Sequence, residues 1–372
     1  MAQIAIYLVS FVVILSIVVF VHEFGHYWVA RRNGVRIETF SIGFGPELFG
    51  GNDRHGTRWK FSAVPLGGYV KMLGDADAAS ATVDQGAARS PDSFPAKSVG
   101  QRMAIVVAGP ASNFLFSIAV LAVLFTFAGR PFTPAVVGEV VGNSPAAAAG
   151  LRGGDRIEAV DGVATDSFEA LQAEVRDRAG EPLTFTVLRD GRTLDVPITP
   201  RMETITDRFG NAHEVGLIGI RPGGMEMTEF RRSNPLSAVG EAVAETWRMV
   251  AGTLRALGEM VVGTRGTEEL GGPLRIAQMS GQIVQDGFLP AVWFTAVLSI
   301  NLGLINLFPI PMLDGGHLMF YTIEAARGRP LNERSQEIAF RVGLAMVLSL
   351  MVFATWNDLQ SGVIKFFAGL LS

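Results

Sequence analysis

Residues 4–30 read IAIYLVSFVVILSIVVFVHEFGHYWVA, an apolar run that ends in a polar motif. The first 18 of these residues, Ile4–Val21, carry no charge and are long enough to cross a lipid bilayer as an α-helix. No basic residue precedes the run and no small-residue cleavage site follows it, so a membrane span is favoured over a cleaved signal peptide. The polar motif continues the same predicted helix, and ionisable groups at membrane depth are costly and usually functional.

The polar motif is His22-Glu23-Phe24-Gly25-His26. On a helix, residues four apart share one face, so both imidazoles can bind one metal ion. Glu23 lies one residue along, near enough to act as a base on a water molecule at that metal. The chain has no cysteine and 5 histidines, so a transition-metal site must use His, Asp and Glu. The alternative is that these polar residues only cap the span at the lipid headgroups.

A zinc site of this type needs a third protein ligand and leaves one position for water. Asp314 is the predicted third ligand, within the segment NLFPIPMLDGG at 306–316. Pro309 and Pro311 break the helix there, so the backbone can turn the carboxylate inward. His317, three residues further on, is the alternative ligand.

Three further apolar segments predict a polytopic membrane protein. Residues 103–128 and 288–313 are each 26 residues without a charge, and 342–357 is a shorter run of 16. Hydrophobic residues make up 49% of the chain and charged residues only 18%, against about a quarter in soluble domains. The net charge of −4 argues against a nucleic-acid partner. We therefore predict four spans, at about 4–30, 103–128, 288–308 and 338–357.

The basic residues predict the orientation of these spans. Residues 31–102 carry ten Lys or Arg, and four arginines lie between the last two spans, at 327–341. The positive-inside rule puts both loops in the cytoplasm, so both termini and the segment 129–287 are expected outside. The cytoplasmic ends of the first and third spans then bring the HExxH motif and Asp314 to one depth, near the cytoplasmic side.

The outer segment contains a predicted mixed domain at 131–222. Short strand patterns, Gly-rich turns and a hairpin signal at Asp190-Gly191 alternate with two helical stretches. The pattern resembles a PDZ domain of the bacterial protease type, and Gly216-Leu217-Ile218-Gly219 resembles its carboxylate-binding loop. Such domains bind a chain end as an added strand. A generic α+β domain without peptide affinity is the alternative.

A segment after the first span is a candidate for substrate binding. Trp59–Val64 and Tyr69–Met72 flank Pro65-Leu66-Gly67-Gly68 in a hairpin-like pattern. Its edge could accept an unwound substrate as an added strand, whereas the alternative is a loop that only packs against the membrane. The predicted contacts are Gly67, Gly68 and Tyr69. Asn113, in the second span, is a further candidate for substrate contact or for a hydrogen bond at the site.

These motifs together resemble the site-2 protease family of intramembrane zinc metalloproteases, in its bacterial, RseP-like branch. Besides HEFGH and NLFPIPMLDGG, the matching segments are FSIGFGPELF (40–49), VPLGGYVKML (64–73), AGPASNF (108–114) and GGPLRIAQMSG (271–281). The resemblance implies His22, His26 and Asp314 as ligands of one zinc ion per chain, Glu23 as the catalytic base and Asn306 as a polar residue that lines the substrate site. In one departure, 131–222 has room for a single PDZ domain, whereas the branch is known for two.

The predicted fold is a polytopic α-helical membrane protein with about four transmembrane helices, an inserted extracytoplasmic PDZ-like α+β domain and a membrane-associated β-hairpin region. Its predicted parts are a membrane half at 1–130 with a cytoplasmic β region at 36–73, the PDZ-like domain at 131–222, a linker with amphipathic helices at 223–287 and a second membrane half at 288–372.

The resemblance implies an endopeptidase of the bacterial inner membrane that contacts lipid and cleaves single-span membrane proteins. Such substrates include anti-sigma factors and signal-peptide remnants, already trimmed by another protease. The alternatives are a membrane-anchored PDZ scaffold and a metal transporter, neither with protease activity.

Overall fold

The computed structural model describes residues 2–75, 86, 90–206, 212–222, 229–263, 266 and 271–360. The chain divides into two compact units. The first comprises Met1–Ala122, Ala238–Leu254 and Thr267–Ser372, and the second comprises Val123–Ser237 and Arg255–Gly266. The first unit holds most of the apolar helices, and the second holds most of the short strands.

Helices dominate the part of the chain that the structure describes. They are α1 (Ala2–Arg32), α2 (Val99–Phe127), α3 (Pro145–Ala148), α4 (Phe168–Arg176), α5 (Pro235–Val262), α6 (Pro273–Asp286), α7 (Phe288–Asn306), α8 (Asp314–Arg327) and α9 (Glu333–Gln360). Helices α1, α2, α7 and α9 are long and apolar enough to cross a membrane, which confirms the four predicted spans as helices. Helix α7 is shorter than the uncharged segment 288–313 because two prolines follow its end at Asn306.

In the first unit, α1 packs against α6, α7 and the strands that follow it. Small residues allow these close approaches. A Cβ at Gly25 would lie 2.2 Å from the carbonyl oxygen of Ala108 on α2, and a Cβ at Gly281 on α6 would lie 2.1 Å from the ring of Tyr7. Gly25 therefore lets the α1 backbone approach that of α2, and Gly281 makes room on α6 for the Tyr7 ring of α1.

The strands are shorter, apart from the first two. They are β1 (Ile37–Asn52), β2 (Arg58–Met72), β3 (Arg130–Phe132), β4 (Val137–Val140), β5 (Arg156–Val160), β6 (Val163–Ala164), β7 (Leu183–Arg189), β8 (Arg192–Ile198), β9 (Arg201–Thr206), β10 (Ala212–Leu217), β11 (Ile220–Pro222) and β12 (Glu229–Arg231). Strands β1 and β2 pair in an antiparallel sheet directly after α1 and make up the predicted β region.

Asp53 closes the turn between β1 and β2. Its carboxylate accepts hydrogen bonds from the backbone N–H groups of His55 and Thr57, from Trp59 Nε1 and from the Tyr27 hydroxyl. Burial alone would raise the pKa of Asp53, but these donors together lower that pKa to about 2. Because Tyr27 belongs to α1, the turn is tied directly to that helix.

The prediction that the segments on either side of Pro65-Leu66-Gly67-Gly68 form a hairpin is wrong. The two flanking segments both belong to β2 and each pairs with β1, as in Phe40↔Trp59 and Phe40↔Val70. Gly67, at φ 106°, bends β2 without closing a hairpin. The alternation of side chains is compatible with a hairpin and with one long bent strand. The pairing of both segments with β1 shows that the bent strand is the one that forms.

The second unit is built on a four-stranded sheet in the order β6-β5-β7-β8. Its core contains Ile157, Phe185 and Leu171, contributed by the sheet and by α4. The predicted hairpin between β7 and β8 is present, with Asp190 and Gly191 both at positive φ, as a type I′ turn requires. Strand β3 pairs with β12, so the compact unit extends beyond 131–222.

Candidate metal centre and active site

Three predicted ligands meet at one point in the first unit. On α1, His22 and His26 are one turn apart, and their Nε2 atoms lie 3.3 Å from each other. Asp314 Oδ2 lies 3.1 Å from His22 Nε2 and 3.5 Å from His26 Nε2. Two ligand atoms of a tetrahedral zinc ion are about 3.3 Å apart when each lies about 2.05 Å from the metal. The three separations therefore suit one tetrahedral ion.

Burial is a second indication of a cation at this point. His22 and His26 are only 7% and 8% exposed. Asp314 Oδ2 is buried and has no hydrogen bond among the described residues. A buried carboxylate oxygen in that state is costly, and a cation shared with the two imidazoles would remove the cost. Within the described ranges, these three residues form the one group of His, Asp or Glu whose ligand atoms lie close enough to hold a metal ion.

A tight connection between α7 and α8 brings Asp314 to the histidines. Helix α7 ends at Asn306, two prolines prevent its continuation, and α8 begins with Asp314. A Cβ at Gly315 would lie 2.2 Å from the carbonyl oxygen of Phe308, so a larger residue does not fit beside the connection. The first glycine of the LDGG segment is thus required by packing next to the carboxylate.

His26 is held from the side of α2. Its Nδ1 donates a hydrogen bond to the carbonyl oxygen of Ile105 at 2.9 Å, which leaves Nε2 to face Asp314. Gly109 gives the ring its space, because a Cβ there would lie 2.2 Å from His26 Nε2. The sequence offers no signal for the Ile105 contact, since every residue has a backbone carbonyl.

A cavity of about 590 Å³ opens beside the three ligands. Glu23, the predicted base, lines this cavity and is 9% exposed. The predicted substrate-binding residues Gly67, Gly68, Tyr69 and Asn306 line the same cavity. A Cβ at Gly68 would lie 3.0 Å from Glu23 Cγ, so β2 passes directly against the Glu23 side chain.

Two other candidate residues take different positions. Asn113 is 0% exposed and is not among the residues that line the cavity. It faces the opposite side of the His22 ring, with Nδ2 3.4 Å from Nδ1. His317 lines the cavity, but its ring packs near Tyr321 and Phe340 and is not part of the three-ligand group.

The cavity wall formed by α8 includes one residue that the sequence patterns did not single out. Tyr321 lines the cavity two turns after Asp314. The Arg102 guanidinium lies over the Tyr321 ring at 4.7 Å and pairs with Glu324 at 2.7 Å. Burial raises the pKa of Tyr321 to about 12, so its hydroxyl stays protonated. Tyr321 follows Asp314 by seven residues, and residues at that spacing share a helix face. The sequence could therefore have predicted that Tyr321 lies near the site.

In the second unit, the predicted carboxylate-binding loop borders a cavity of about 500 Å³. Residues 216–219 form one wall, and Phe168, Leu171 and Val175 of α4 contribute the other. A Cβ at Gly216 would lie 2.5 Å from the carbonyl oxygen of Val175, so the end of β10 lies against α4. The loop and the helix together form a groove with an apolar floor.

Metallopeptidases combine two histidines, a carboxylate and a glutamate base in this way, and here the histidines lie on a helix that is long and apolar enough to span a membrane. The class of protein is therefore a membrane-embedded metallopeptidase. Comparison with known proteins gives the family. The model of peptidase family M50 matches residues 10–350. The chain belongs to this family, the site-2 proteases, and is an intramembrane metalloprotease.

Individual relatives are similar over nearly their whole length. The chain is 48% identical over 364 residues to a protein of Agrobacterium fabrum named as a zinc metalloprotease, with 95% of this chain and 96% of the relative covered. It is 41% identical over 397 residues to the metalloprotease MmpA of Caulobacter vibrioides, with 99% of each covered. The predicted enzyme class is confirmed, and the scaffold and transporter alternatives are set aside.

One solved structure is similar to part of the chain. It is the PDZ domain of an SdrC-like protein from Listeria monocytogenes, at 22% identity and a TM-score of 0.20, with 24% of this chain and 88% of that domain covered.

Proposed function

We propose that His22, His26 and Asp314 bind one zinc ion per chain and that Glu23 is the general base for peptide hydrolysis. The observation that carries this proposal is the convergence of three ligand atoms within 3.1 to 3.5 Å beside a cavity that Glu23 lines. Three protein ligands leave a fourth position open, which is typical of catalytic zinc sites. The names of the relatives, zinc metalloproteases, support the choice of metal.

When bound, zinc polarises a carbonyl group and lowers the pKa of a water molecule to about 7. Glu23 accepts a proton from the attacking water and passes it to the peptide nitrogen, which leaves as the amine when the C–N bond breaks. Asn306, at the end of α7, lines the cavity and offers both a donor and an acceptor to the substrate backbone.

The substrate is a membrane-spanning helix that unwinds locally before cleavage. In a bilayer the backbone groups of such a helix are hydrogen-bonded internally, so its carbonyl groups are hidden from attack. A strand added beside β2 would regain the hydrogen bonds that unwinding breaks. Gly67, Gly68 and Tyr69 line the cavity next to Glu23, which supports this part of β2 as the receiving segment.

The cleaved proteins are single-span membrane proteins already trimmed by another protease, such as anti-sigma factors or signal-peptide remnants. The PDZ-like second unit reads the chain end that the first cut creates. Backbone N–H groups of residues 216–219 suit a terminal carboxylate, and the apolar floor from Leu171 and Val175 suits an apolar last side chain.

The enzyme resides in the bacterial inner membrane, with the second unit and both termini outside and the metal site near the cytoplasmic side. Arg31 and Arg32 support this orientation, because they lie in the last turn of α1, directly after His26 and Glu23.

Co-expression with a panel of tagged single-span proteins tests the proposed function. Glu23→Gln should keep the protein folded and loaded with zinc but lower cleavage by about 10²–10⁴-fold or more, because an amide cannot accept the proton. Glu337→Gln, the same change on the surface of α9, serves as the matched control and should cleave like wild type. Near-wild-type proteolysis by purified Glu23→Gln would remove Glu23 from the mechanism.

A further inference from the structure

We infer that Asn113 is a positioning residue of the metal site, whose side-chain oxygen accepts a hydrogen bond from Nδ1–H of His22 and so holds His22 Nε2 toward the ion. This inference rests on the proposed function, because it takes His22 as a zinc ligand through Nε2. It adds a residue on α2 that touches neither the ion nor the substrate.

The contact that carries the inference lies on the far side of the His22 ring. The Asn113 amide is 3.4 Å from His22 Nδ1, whereas His22 Nε2 faces His26 and Asp314. A histidine that binds a metal through Nε2 carries its hydrogen on Nδ1, and that N–H group almost always donates to an oxygen. Asn113 is the side chain that the structure brings to this N–H group.

The other histidine has a matching arrangement. His26 Nδ1 donates to the Ile105 carbonyl oxygen at 2.9 Å, and His26 Nε2 faces Asp314. Ile105 and Asn113 are eight residues apart on α2 and so lie within one stripe of the helix. Helix α2 therefore supplies one oxygen to the Nδ1 side of each histidine.

Two observations decide which end of the Asn113 amide faces the ring. An amide NH₂ group cannot accept the Nδ1 hydrogen, so with Nδ2 toward the ring two donors would face each other. In that orientation Asn113 Oδ1 is also buried without a hydrogen bond among the described residues. Reversing the amide gives the Nδ1 hydrogen an acceptor and gives Oδ1 a donor, and such hydrogen bonds are the basis on which amide ends are assigned.

Packing holds the Asn113 residue in place. Its backbone carbonyl oxygen accepts hydrogen bonds from the hydroxyl groups of Ser117 at 2.8 Å and Ser299 at 3.1 Å. Gly303, one turn after Ser299 on α7, lets that helix approach, since a Cβ there would lie 3.2 Å from Asn113 Cβ. A side chain fixed between α2 and α7 can hold the imidazole, because it has little freedom to follow the ring.

Zinc affinity of the purified full-length protein, measured by competition with a chromophoric chelator, tests the inference without relying on activity. Asn113→Leu keeps a similar volume but removes the acceptor, and loss of such an outer partner typically weakens metal binding about 10–100-fold. Asn113→Asp keeps an acceptor oxygen and should stay close to wild type. Ser280→Ala removes a buried hydroxyl on α6 that bonds back to the Ile276 carbonyl oxygen, and it should also bind zinc like wild type.

Two results would overturn the role of Asn113. One is wild-type zinc affinity in Asn113→Leu, and the other is equal weakening in Asn113→Leu, Asn113→Asp and Ser280→Ala, which would indicate packing alone. His22→Ala separates this inference from the proposed ligand set: retained zinc in that variant would contradict the ligand set itself. If the Asn113 variants do not fold, nitrogen-15 histidine spectra of the wild-type zinc protein serve instead. A hydrogen on His22 Nδ1 is expected there, and a hydrogen on Nε2 would overturn the inference.

Discussion

At the residue scale, Asp314 joins the C-terminal half of the chain to a site that begins at His22. Two histidines alone would leave zinc with two open positions and weak affinity. We expect Asp314→Ala to lose zinc and activity together, and His317→Ala to keep about one zinc per chain, because His317 lies outside the ligand group. Atomic absorption on the purified variants measures both. Full zinc in Asp314→Ala with loss in His317→Ala would make His317 the third ligand.

Gly109 offers a second test at this scale. A Cβ there would lie 2.2 Å from His26 Nε2. The ring is not free to move away, because its Nδ1 donates a hydrogen bond to the Ile105 carbonyl oxygen. Overpacking of this kind typically costs about 1–3 kcal/mol, so Gly109→Ala should bind zinc about 5–150-fold more weakly. Chelator competition measures the change.

Gly100→Ala on the same helix is the matched control for Gly109→Ala. A Cβ at Gly100 meets nothing within 4 Å, so only helix propensity changes there. Wild-type zinc affinity in both variants would show that the ring accommodates the methyl group.

The residues of the site differ in how far the sequence could predict them. Helix geometry alone relates His22, Glu23 and His26, because four residues make one turn. Asp314 is predictable only through topology, because the positive-inside rule predicts that the first and third spans end on the same side of the membrane. Asn113 and His22 are 91 positions apart in sequence and lie on different helices. No spacing pattern in the sequence predicts their contact, so only the structure reveals it.

At the element scale, the Asp53 carboxylate links the turn between β1 and β2 to α1. Asp53→Asn keeps the shape but turns one acceptor oxygen into a donor, so Trp59 Nε1 and the Tyr27 hydroxyl lose an acceptor. Losing hydrogen bonds to a charged group costs about 1.5–3 kcal/mol. The turn should therefore open more often, and tryptic cleavage at Arg54 should accelerate about tenfold or more.

The pH dependence of the same turn follows from the pKa of Asp53. The folded pKa of about 2 lies below the ordinary value of about 3.9, so the carboxylate stabilises the turn above about pH 4 and loses that effect as the pH falls toward 2. Hydrogen exchange at Thr57 N–H measures this loss. For the tryptic cleavage of Asp53→Asn, the control is Asp190→Asn at the tip of the β7–β8 hairpin, which should leave cleavage at Arg54 unchanged.

A local sequence pattern predicts a hairpin correctly when the two strands on either side of the turn pair with each other. It fails when these strands pair with a third segment instead. Asp190-Gly191 predicts its hairpin because the turn residues need positive φ and the strands follow directly. The Pro65–Gly68 segment carries similar turn residues, but the adjoining segments are paired to β1 on either side of the bend. Register within a sheet is set by such partners, which a single segment does not encode.

At the scale of the whole molecule, the proposed orientation predicts a pattern of chemical labelling. The chain contains no cysteine, so single introduced cysteines can be read without background. Arg54→Cys should be protected from an impermeant thiol reagent in intact cells, because the positive-inside rule puts its loop in the cytoplasm. Arg192→Cys, in β8, should be labelled in the same cells. Labelling of Arg54→Cys with protection of Arg192→Cys would reverse the orientation.

The division into two units predicts that the metal chemistry survives without the groove. All proposed ligands and the base lie in the first unit, whereas residues 216–219 and α4 lie in the second. Strands β3 and β12 pair at Phe132↔Glu229, so residues 133–228 can be replaced by a two-residue hairpin turn that keeps this pairing. The shortened enzyme should retain one zinc ion per chain and cleave membrane substrates with altered choice among them.

A matched variant with Glu23→Gln in the shortened chain should be inactive and would show that the residual cleavage uses the same site. If the shortened enzyme folds, binds zinc and cleaves none of the panel, the second unit is needed for turnover itself, and its proposed role as a reader of chain ends is insufficient.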